Sequence, residues 1–579
     1  MRSIDNTRIE RLITLLLVLG LTAYQLVRVI AFANVYGGIE HDSGWFLTVS
    51  RSLAERGTYT TLVSTIVDPT VPGDINIDFK FNIQDRDGRI WFFTGSGTGP
   101  ASIVPNAIIL KIFGCNFWAL RAGPLLFYVL LLLLIALSLY RLGGLPSIVL
   151  FHAFMFCYPR LSIFLSYEAM GEGTTLCYAM AAFLAFAAAT QQKKYRLRFF
   201  AFAGLMAGLA INTKMLSILS IGGILAWAGV RWLIAPVGER KARFTELLVF
   251  GNVAAALQLF WELLQMVVLV RLTDFGLYLT HLRQRLGFIR DEGSGLGGQK
   301  HVGVEFLWRK FILFGEVAHP QAWVTVVIFA FILFGSVALI LSWYRRRPYA
   351  HNLLAVIWLG WLANTVWFVT MAKTGWPRHF WFGLMLAIVL LSAIPVALVR
   401  QYFGEREGEA GHRFPAILGP VAGSALAALL VWGFASQPHV WSVLLPDEIV
   451  PYWLERRVDY YDFAGLPWVV IPRADQVEVV EYINNLPPEA RVYYPERHKA
   501  AEIAPQTGRI QYPLQRRFHP TVKPHPADIV LVPPSLISAW RFEPAMRLEL
   551  LRRVEAACPN PVLRNDYYII CLADQVRLP

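Results

Sequence analysis

LRAGPLLFYVLLLLLIALSLY, residues 120–140, carries one charge, Arg121 near its first end, followed by nineteen residues without another. A helix of about 20 apolar residues spans the roughly 30 Å hydrocarbon layer of a bilayer. Reading outward for runs of the same kind gives approximate spans at 12–33, 144–163, 172–190, 199–213, 215–234, 245–270, 321–343, 351–371, 379–399 and 414–435. Composition agrees, with 56% of the 579 residues apolar or aromatic and 16% charged. A soluble domain has about 45–50% and about 25%. These figures exclude a soluble multidomain enzyme, a disordered chain, a collagen and a disulfide-stapled mini-protein. The chain reads as a mainly α, polytopic membrane protein.

One further run, 99–114, is short, opens with Gly-Pro and contains Pro105. Charge decides whether it crosses. The chain has 53 Lys and Arg against 40 Asp and Glu, a net charge of +13. In a soluble protein such an excess suggests nucleic acid; in a membrane protein it marks cytoplasmic loops. Basic residues gather at Arg2, Arg8 and Arg11, at Arg141, at Lys193, Lys194, Arg196 and Arg198, and at Arg240, Lys241 and Arg243. Two more groups are Arg345–Arg346–Arg347 and Arg400, Arg406 and Arg413. If 99–114 stays on one side, every group shares the side of the N-terminus; if it crosses, the first group is cut off from the rest. The positive-inside bias therefore predicts eleven spans, a cytoplasmic N-terminus and a juxtamembrane helix at 99–114. No small-residue cleavage site follows the first run, which reads as a retained span.

This topology places outside the first loop (34–119), the turns at Glu172 and Lys214, the long loop 271–320, the loop 372–378 and the tail 436–579. Residues 1–435 would then form the membrane domain. In the tail, charges and prolines return and apolar runs shorten to strand length, which predicts a small α/β domain. Five cysteines are too few for a disulfide framework. Cys558 and Cys571 either pair, as an oxidising outer compartment allows, or stay reduced.

The first outer loop is the most informative segment: IEHDSGWFLTVSRSLAERGTY, residues 39–59. Glu40, His41 and Asp42 precede an amphipathic helix that Gly57 can end. A carboxylate fixed at the membrane boundary can act as a general base or hold a divalent cation; equally, Asp favours a helix N-terminus. Glu168 and Glu172 stand at another outer tip, and Lys214 at a third. Arg121 opens a span, and Arg378 and His379, in KTGWPRHFWF (373–382), stand at the mouth of the tenth. Ionisable groups at such depth are functional candidates. Their convergence on one face suits an acid–base or metal site beside an anion site.

These blocks resemble the polytopic GT-C glycosyltransferases of the protein O-mannosyltransferase and aminoarabinose (lipid A) transferase branch. Residues 42–59 meet the pattern Asp-x-x-Trp-x-Leu-x-x-x-Arg-x-Leu-x-x-x-Gly-x-Tyr, with Ser43 where the family has Glu. The Gly-Pro helix ending at Phe113-Gly114, Arg121 in Ala-Leu-Arg-Ala-Gly-Pro, the Glu168/Glu172 stretch and Trp376-Pro-Arg-His-Phe380 follow in the family's order. No Lys-Pro-Pro turn precedes the juxtamembrane helix; Thr98-Gly99-Pro100 stands there. The resemblance implies an inverting transfer of a sugar from a polyprenyl-phosphate donor to a glycolipid, cell-surface glycan or protein. Asp42 would be the base and Glu172 the second acid. Lys214, Arg378 and Arg121 would hold the leaving phosphate, and Asp42, Glu172 and His379 a divalent metal cation. It implies the periplasmic face of a bacterial inner membrane, membrane lipids as surroundings and no nucleic acid.

In the long outer loop, Arg283 and Arg285 run against the sidedness bias and are candidate anion ligands, beside a Gly-rich stretch at 292–298. That stretch lacks a nucleotide-loop setting. Arg28 and Glu262 lie inside apolar runs, where pairing or snorkelling is expected. Another function class remains, a transporter or flippase of a lipid-linked or anionic solute, which should show repeat symmetry and broken helices near the midplane. A structural membrane protein would need no clustered carboxylates.

Overall fold

Asn116 and Gly143 punctuate the helix built on the 120–140 run, α4 (Phe117–Leu142). The Asn116 side chain accepts from the Ala119 amide at 2.9 Å, and the Gly143 amide closes onto the carbonyls of Leu139 and Tyr140. Both ends thus satisfy backbone groups a bare helix leaves open. The computed structural model describes residues 6–36, 38–39, 41–66, 73–78, 82–92, 98–157, 159–166, 169–192, 194–288, 322–344, 346–371, 380–404, 472–494, 500–513, 525–532, 552 and 555–576. Before α4 come α1 (Asn6–Tyr36), α2 (His41–Arg56) and α3 (Pro100–Phe113). After it come α5 (Leu145–Cys157), α6 (Pro159–Ser166), α7 (Glu172–Gln191), α8 (Arg196–Thr213), α9 (Ile218–Leu233) and α10 (Val237–Leu272). α11 (Phe275–Phe288), α12 (Ala322–Trp343), α13 (Pro348–Thr370) and α14 (Trp381–Gly404) complete the bundle, and α15 (Arg473–Asn484) and α16 (Ala504–Thr507) belong to the tail.

Among the described residues, eight helices are long and apolar enough to cross a bilayer: α1, α4, α7, α9 with the turn before it, α10, α12, α13 and α14. α8, expected as the short span 199–213, packs between α7 and α10. The expected span 144–163 is instead two helices, α5 and α6. Pro159 opens the second, a position that tolerates the missing N–H and ring that would break a helix interior. The expected span 414–435 lies outside the described residues.

The core runs through the most buried spans, α7 and α14, with Tyr128, Phe183 and Leu386 inside it. Several helix pairs touch through glycine, two of them in the middle of the bundle. A Cβ on Gly223 of α9 would lie 2.5 Å from the Gly360 amide of α13, and one on Gly204 of α8 would meet the Phe250 carbonyl of α10 at 2.4 Å. Small residues let backbones approach where lipid supplies no hydrophobic drive between helices. α3 has 14 residues, about 21 Å at 1.5 Å each, too short to span. Its outer stripe Val104, Ile108 and Ile112 is exposed and apolar, while Ile103, Asn106 and Leu110 pack inward. Such a helix suits the bilayer surface.

The sheet joins two distant stretches of chain. β1 (Thr60–Ser64), β2 (Asn76–Asp78), β3 (Asn82–Gln84) and β4 (Arg89–Trp91) come from the first loop; β5 (Val492–Tyr494), β6 (Gln511–Pro513), β7 (Ile529–Val532), β8 (Leu563–Arg564) and β9 (Ile569–Leu572) come from the tail. The order is β2-β3-β4-β1-β6-β5-β7-β9-β8. The seam is parallel, with Val63 opposite Gln511, and the Tyr494 hydroxyl donates to the Ser64 carbonyl across it at 3.0 Å. The sequence suggests a self-contained tail; instead its strands continue the first-loop sheet, so loop and tail lie on one side of the membrane. Cys558 and Cys571 form a disulfide.

The tail docks on α2 through a contact only glycine permits, at the short turn Ala500–Glu502. A Cβ on Gly44 would sit 2.1 Å from the Ala501 carbonyl oxygen of the tail. In an open helix, Gly→Ala gains about 1 kcal/mol of helix propensity. Here overpacking should outweigh that gain by about 1–3 kcal/mol. Gly44→Ala is expected to lower the thermal midpoint in detergent and to speed proteolysis of the tail. An unchanged or raised midpoint would show that the tail does not seat on α2 as described.

Candidate active site

Three turns meet where the bundle faces the sheet. The first is Thr98-Gly99, entering α3. Its threonine hydroxyl donates to the Met170 carbonyl at 2.6 Å, and the Gly99 amide donates to the Thr213 carbonyl at 2.6 Å. The second is the turn into α7, where Gly171 has φ +83 and a Cβ would press within 3.1 Å of Thr98 and Thr213 side chains. Only glycine takes that backbone and that space without strain. The third is Lys214, the C-cap of α8. Gly99 is pinned similarly, since a Cβ there would lie 2.0 Å from the Asn212 carbonyl oxygen.

Two charged side chains meet at this junction. Glu172, the first residue of α7, is 2% exposed and accepts from the Lys214 ammonium, whose side chain is 14% exposed. The helix N-terminus favours the carboxylate. Lys214 offers three donors, so pairing with one Glu172 oxygen leaves capacity for an incoming anion. Four apolar elements converge nearby in one cluster: Ile39 from the chain before α2, Ala107 and Leu110 of α3, Leu120 of α4 and Ala169 before α7. Three residues beyond Ile39 stands Asp42, and three beyond Ala169 stands Glu172. One packed patch therefore launches both acid-bearing segments.

The backbone before α2 is held from two directions. Arg121, fully buried at the start of α4, donates to the Gly38 carbonyl at 3.0 Å. Gln476 of the tail clamps Ile39: its Oε1 accepts from the Ile39 amide at 2.7 Å and its Nε2 donates to the Ile39 carbonyl at 3.1 Å. Gln506 donates to Gln476 at 2.6 Å, and Tyr568 meets it at 2.9 Å. Asp42 is the second residue of α2, in its first turn. Arg121 thus acts on the chain carrying Asp42, where the sequence suggests a phosphate ligand.

Other sequence candidates fall elsewhere. On α11, Arg285 pairs with Glu262 of α10 and donates to Gln265 at 2.9 Å, so its charge is committed to the pairing expected for Glu262. Arg283 is exposed on the same helix, which packs against β2 and β3. Neither joins the Glu172–Lys214 junction in the described contacts. Glu168, Arg378 and His379 lie outside the described residues, as do the side chains of His41 and Asp42. Among the described residues no group of three His, Cys, Asp or Glu side chains could hold a metal ion. Sequence reading misses Gln476, Gln506 and Thr98, since nothing in an amide or hydroxyl side chain signals a partner far along the chain: 437 residues away for Gln476, 72 for Thr98 and 30 for Gln506.

Residues 104–264 match the family model described as dolichyl-phosphate-mannose-protein mannosyltransferase. A search of curated proteins gives no significant match. Two solved structures share the fold over nearly the full length. ArnT from Cupriavidus metallidurans bound to undecaprenyl phosphate is 14% identical, with TM-score 0.53 over 97% of this chain and 99% of that one. ArnT from Cupriavidus metallidurans in the apo state is also 14% identical, with TM-score 0.51 over 97% and 98%. The architecture is therefore the polytopic GT-C type that the first-loop pattern resembles.

The Glu172–Lys214 pair makes a stability prediction. Removing one partner of a buried pair strands the other, at about 3–5 kcal/mol, whereas removing both is often nearly neutral. Lys214→Met should destabilise the protein strongly, and Glu172→Gln/Lys214→Met should recover most of the loss in thermal unfolding. Equal stability of single and double variants would contradict a buried pair.

Proposed function

We propose that this protein is an inverting glycosyltransferase that moves a sugar from a polyprenyl-phosphate donor to a hydroxyl acceptor. The observation that carries the reading is the buried Glu172–Lys214 pair at the head of the bundle, inside the region that matches the mannosyltransferase family model. The full-length likeness to a fold seen with undecaprenyl phosphate bound supports a lipid-phosphate donor. The spans supply apolar surface for the prenyl chain.

The chemistry divides among the residues as follows. The Asp42 carboxylate takes the proton from the acceptor hydroxyl, whose oxygen attacks the anomeric carbon from the face opposite the phosphate. The bond from that carbon to the phosphate oxygen breaks, and the polyprenyl phosphate leaves with an added negative charge. Lys214 stabilises that charge, as fixed donors do at an oxyanion site, and Arg378 is the further cation. Glu172 keeps Lys214 in place, and Arg121 and Gln476 position the segment bearing Asp42. Of the three side chains suggested for a divalent cation, the described one, Glu172, is already taken up by Lys214. The Glu172 oxygen already meets a fixed ammonium, which supplies the positive charge a metal would bring.

The acceptor is a glycolipid, a cell-surface glycan or a protein, approaching from the side of the sheet. We place that sheet in the periplasm and the N-terminus in the cytoplasm of a bacterial inner membrane, because the basic stretches lie at the opposite end of the spans.

Membranes containing the protein should transfer label from a radiolabelled polyprenyl-phosphate sugar to an endogenous acceptor. Asp42→Asn should reduce the rate by about 10²–10⁴-fold, the usual contribution of a positioned base. Equal transfer by both would remove Asp42 from the role of base. Movement of a lipid-linked or anionic solute across vesicles, with no covalent transfer, would replace the enzyme by a transporter.

A further inference from the structure

At the opposite end of the bundle lies a second polar site. Eighteen residues along α7 from Glu172, about 27 Å at 1.5 Å per residue, Thr190 lines a cavity of 380 Å³. The other walls include Arg231 in the last turn of α9, Glu239 and Arg243 at the start of α10, Tyr344 after α12, and His351 and Asn352 opening α13.

Its electrostatics are unbalanced. Glu246, 4% exposed, faces three arginines: Arg196 at 2.8 Å, Arg243 at 3.3 Å and Arg231 at 3.9 Å. Glu239 takes a second bond from Arg243 at 2.9 Å but is itself more than half exposed. Arg231 has the longest of the three contacts with Glu246, at 3.9 Å. Its side chain is 13% exposed, its guanidinium lies over the Phe186 ring at 5.7 Å, and among the described residues it donates no hydrogen bond. A guanidinium carries five donors, and a largely buried one is stabilised by an acceptor that can take several of them. The neutral wall is already committed: Asn352 Oδ1 accepts from Trp227 at 2.8 Å and His351 Nδ1 meets the Ile340 carbonyl at 2.7 Å. Among the described hydrogen bonds, neither accepts from Arg231.

The geometry points to a phosphate-binding site here, with Arg231 as its ligand and the phosphodiester of an anionic glycerophospholipid as occupant. Guanidinium forks match phosphate oxygens. The cavity is larger than a lone anion needs and leaves room for a glycerol head. It also opens at the end of the spans that carries Lys194, Arg198, Arg240, Lys241, Arg346 and Arg347, where basic pockets between helices meet headgroups of their leaflet. The site rests on this cavity alone and does not depend on the proposed transfer reaction.

Titration of the purified full-length protein in neutral detergent, read by native mass spectrometry, tests it. The probes are short-chain phosphatidylglycerol, the corresponding diacylglycerol and inorganic phosphate. Wild type should bind phosphatidylglycerol at least about tenfold more tightly than diacylglycerol, a factor that one or two charge-assisted hydrogen bonds provide. Arg231→Gln should erase that preference, and Arg231→Lys, which keeps the charge without the fork, should retain part of it. Equal binding of the two lipids by wild type overturns the proposal without reference to any variant. So does an undiminished preference in Arg231→Gln. Inorganic phosphate binding as tightly as phosphatidylglycerol would overturn the lipid as occupant in favour of a soluble phosphate.

Discussion

A carboxylate and an ammonium buried together at the mouth of a membrane bundle constrain everything around them. Taking either charge out of water costs several kcal/mol, so Glu172 and Lys214 must be delivered to one point by elements that cannot drift. The delivery is by three turns locked through their backbones: Gly99 against Asn212 and Thr213, Gly171 between two threonines, and Thr98 on the Met170 carbonyl. Because Glu172 starts α7 and Lys214 ends α8, the antiparallel packing of two helices in the bundle fixes the distance between the charges. Membrane architecture and site geometry are here one constraint.

The sheet adds a second level of control. α2, which carries Asp42, is amphipathic and too short to cross, and its placement depends on what holds its two sides. α3 supports it from the bundle, and the tail supports it through Gln476 on Ile39, Arg51 on the Pro505 carbonyl and the close approach at Gly44. A residue 437 positions away thus orients the backbone that leads to the candidate base. Loss of the tail's seating should therefore free the segment leading into α2 before the spans themselves unfold.

Much of this was legible in the sequence because a bilayer imposes a simple code. The uninterrupted apolar run at 120–140 is α4, and the basic clusters gather at one end of the spans, with Gly144 packed under Arg400 at that same end. The short, proline-containing run at 99–114 is a helix that cannot span. Pro159 marks the break between α5 and α6, yet apolar residues run through both halves, so hydropathy merges them. Glu172 and Lys214 stand out singly as charges at outer tips; their pairing depends on how α7 and α8 pack, which no local pattern records. Arg285 misleads for the opposite reason. It looks like a free cation in an outer loop, and the structure spends it on Glu262. The seam between Val63 and Gln511 and the clamp by Gln476 are contacts between ordinary residues far apart in sequence, invisible until the chain is folded.

The central claim is chemical: one carboxylate and one set of phosphate-holding cations, acting in a single displacement. Stereochemistry reports on that directly. With a polyprenyl-phosphate donor of known anomeric configuration, NMR of the transferred sugar should show the opposite configuration, because the acceptor enters on the face away from the phosphate. Retained configuration would require a glycosyl-enzyme intermediate or a front-side path, and would contradict the account.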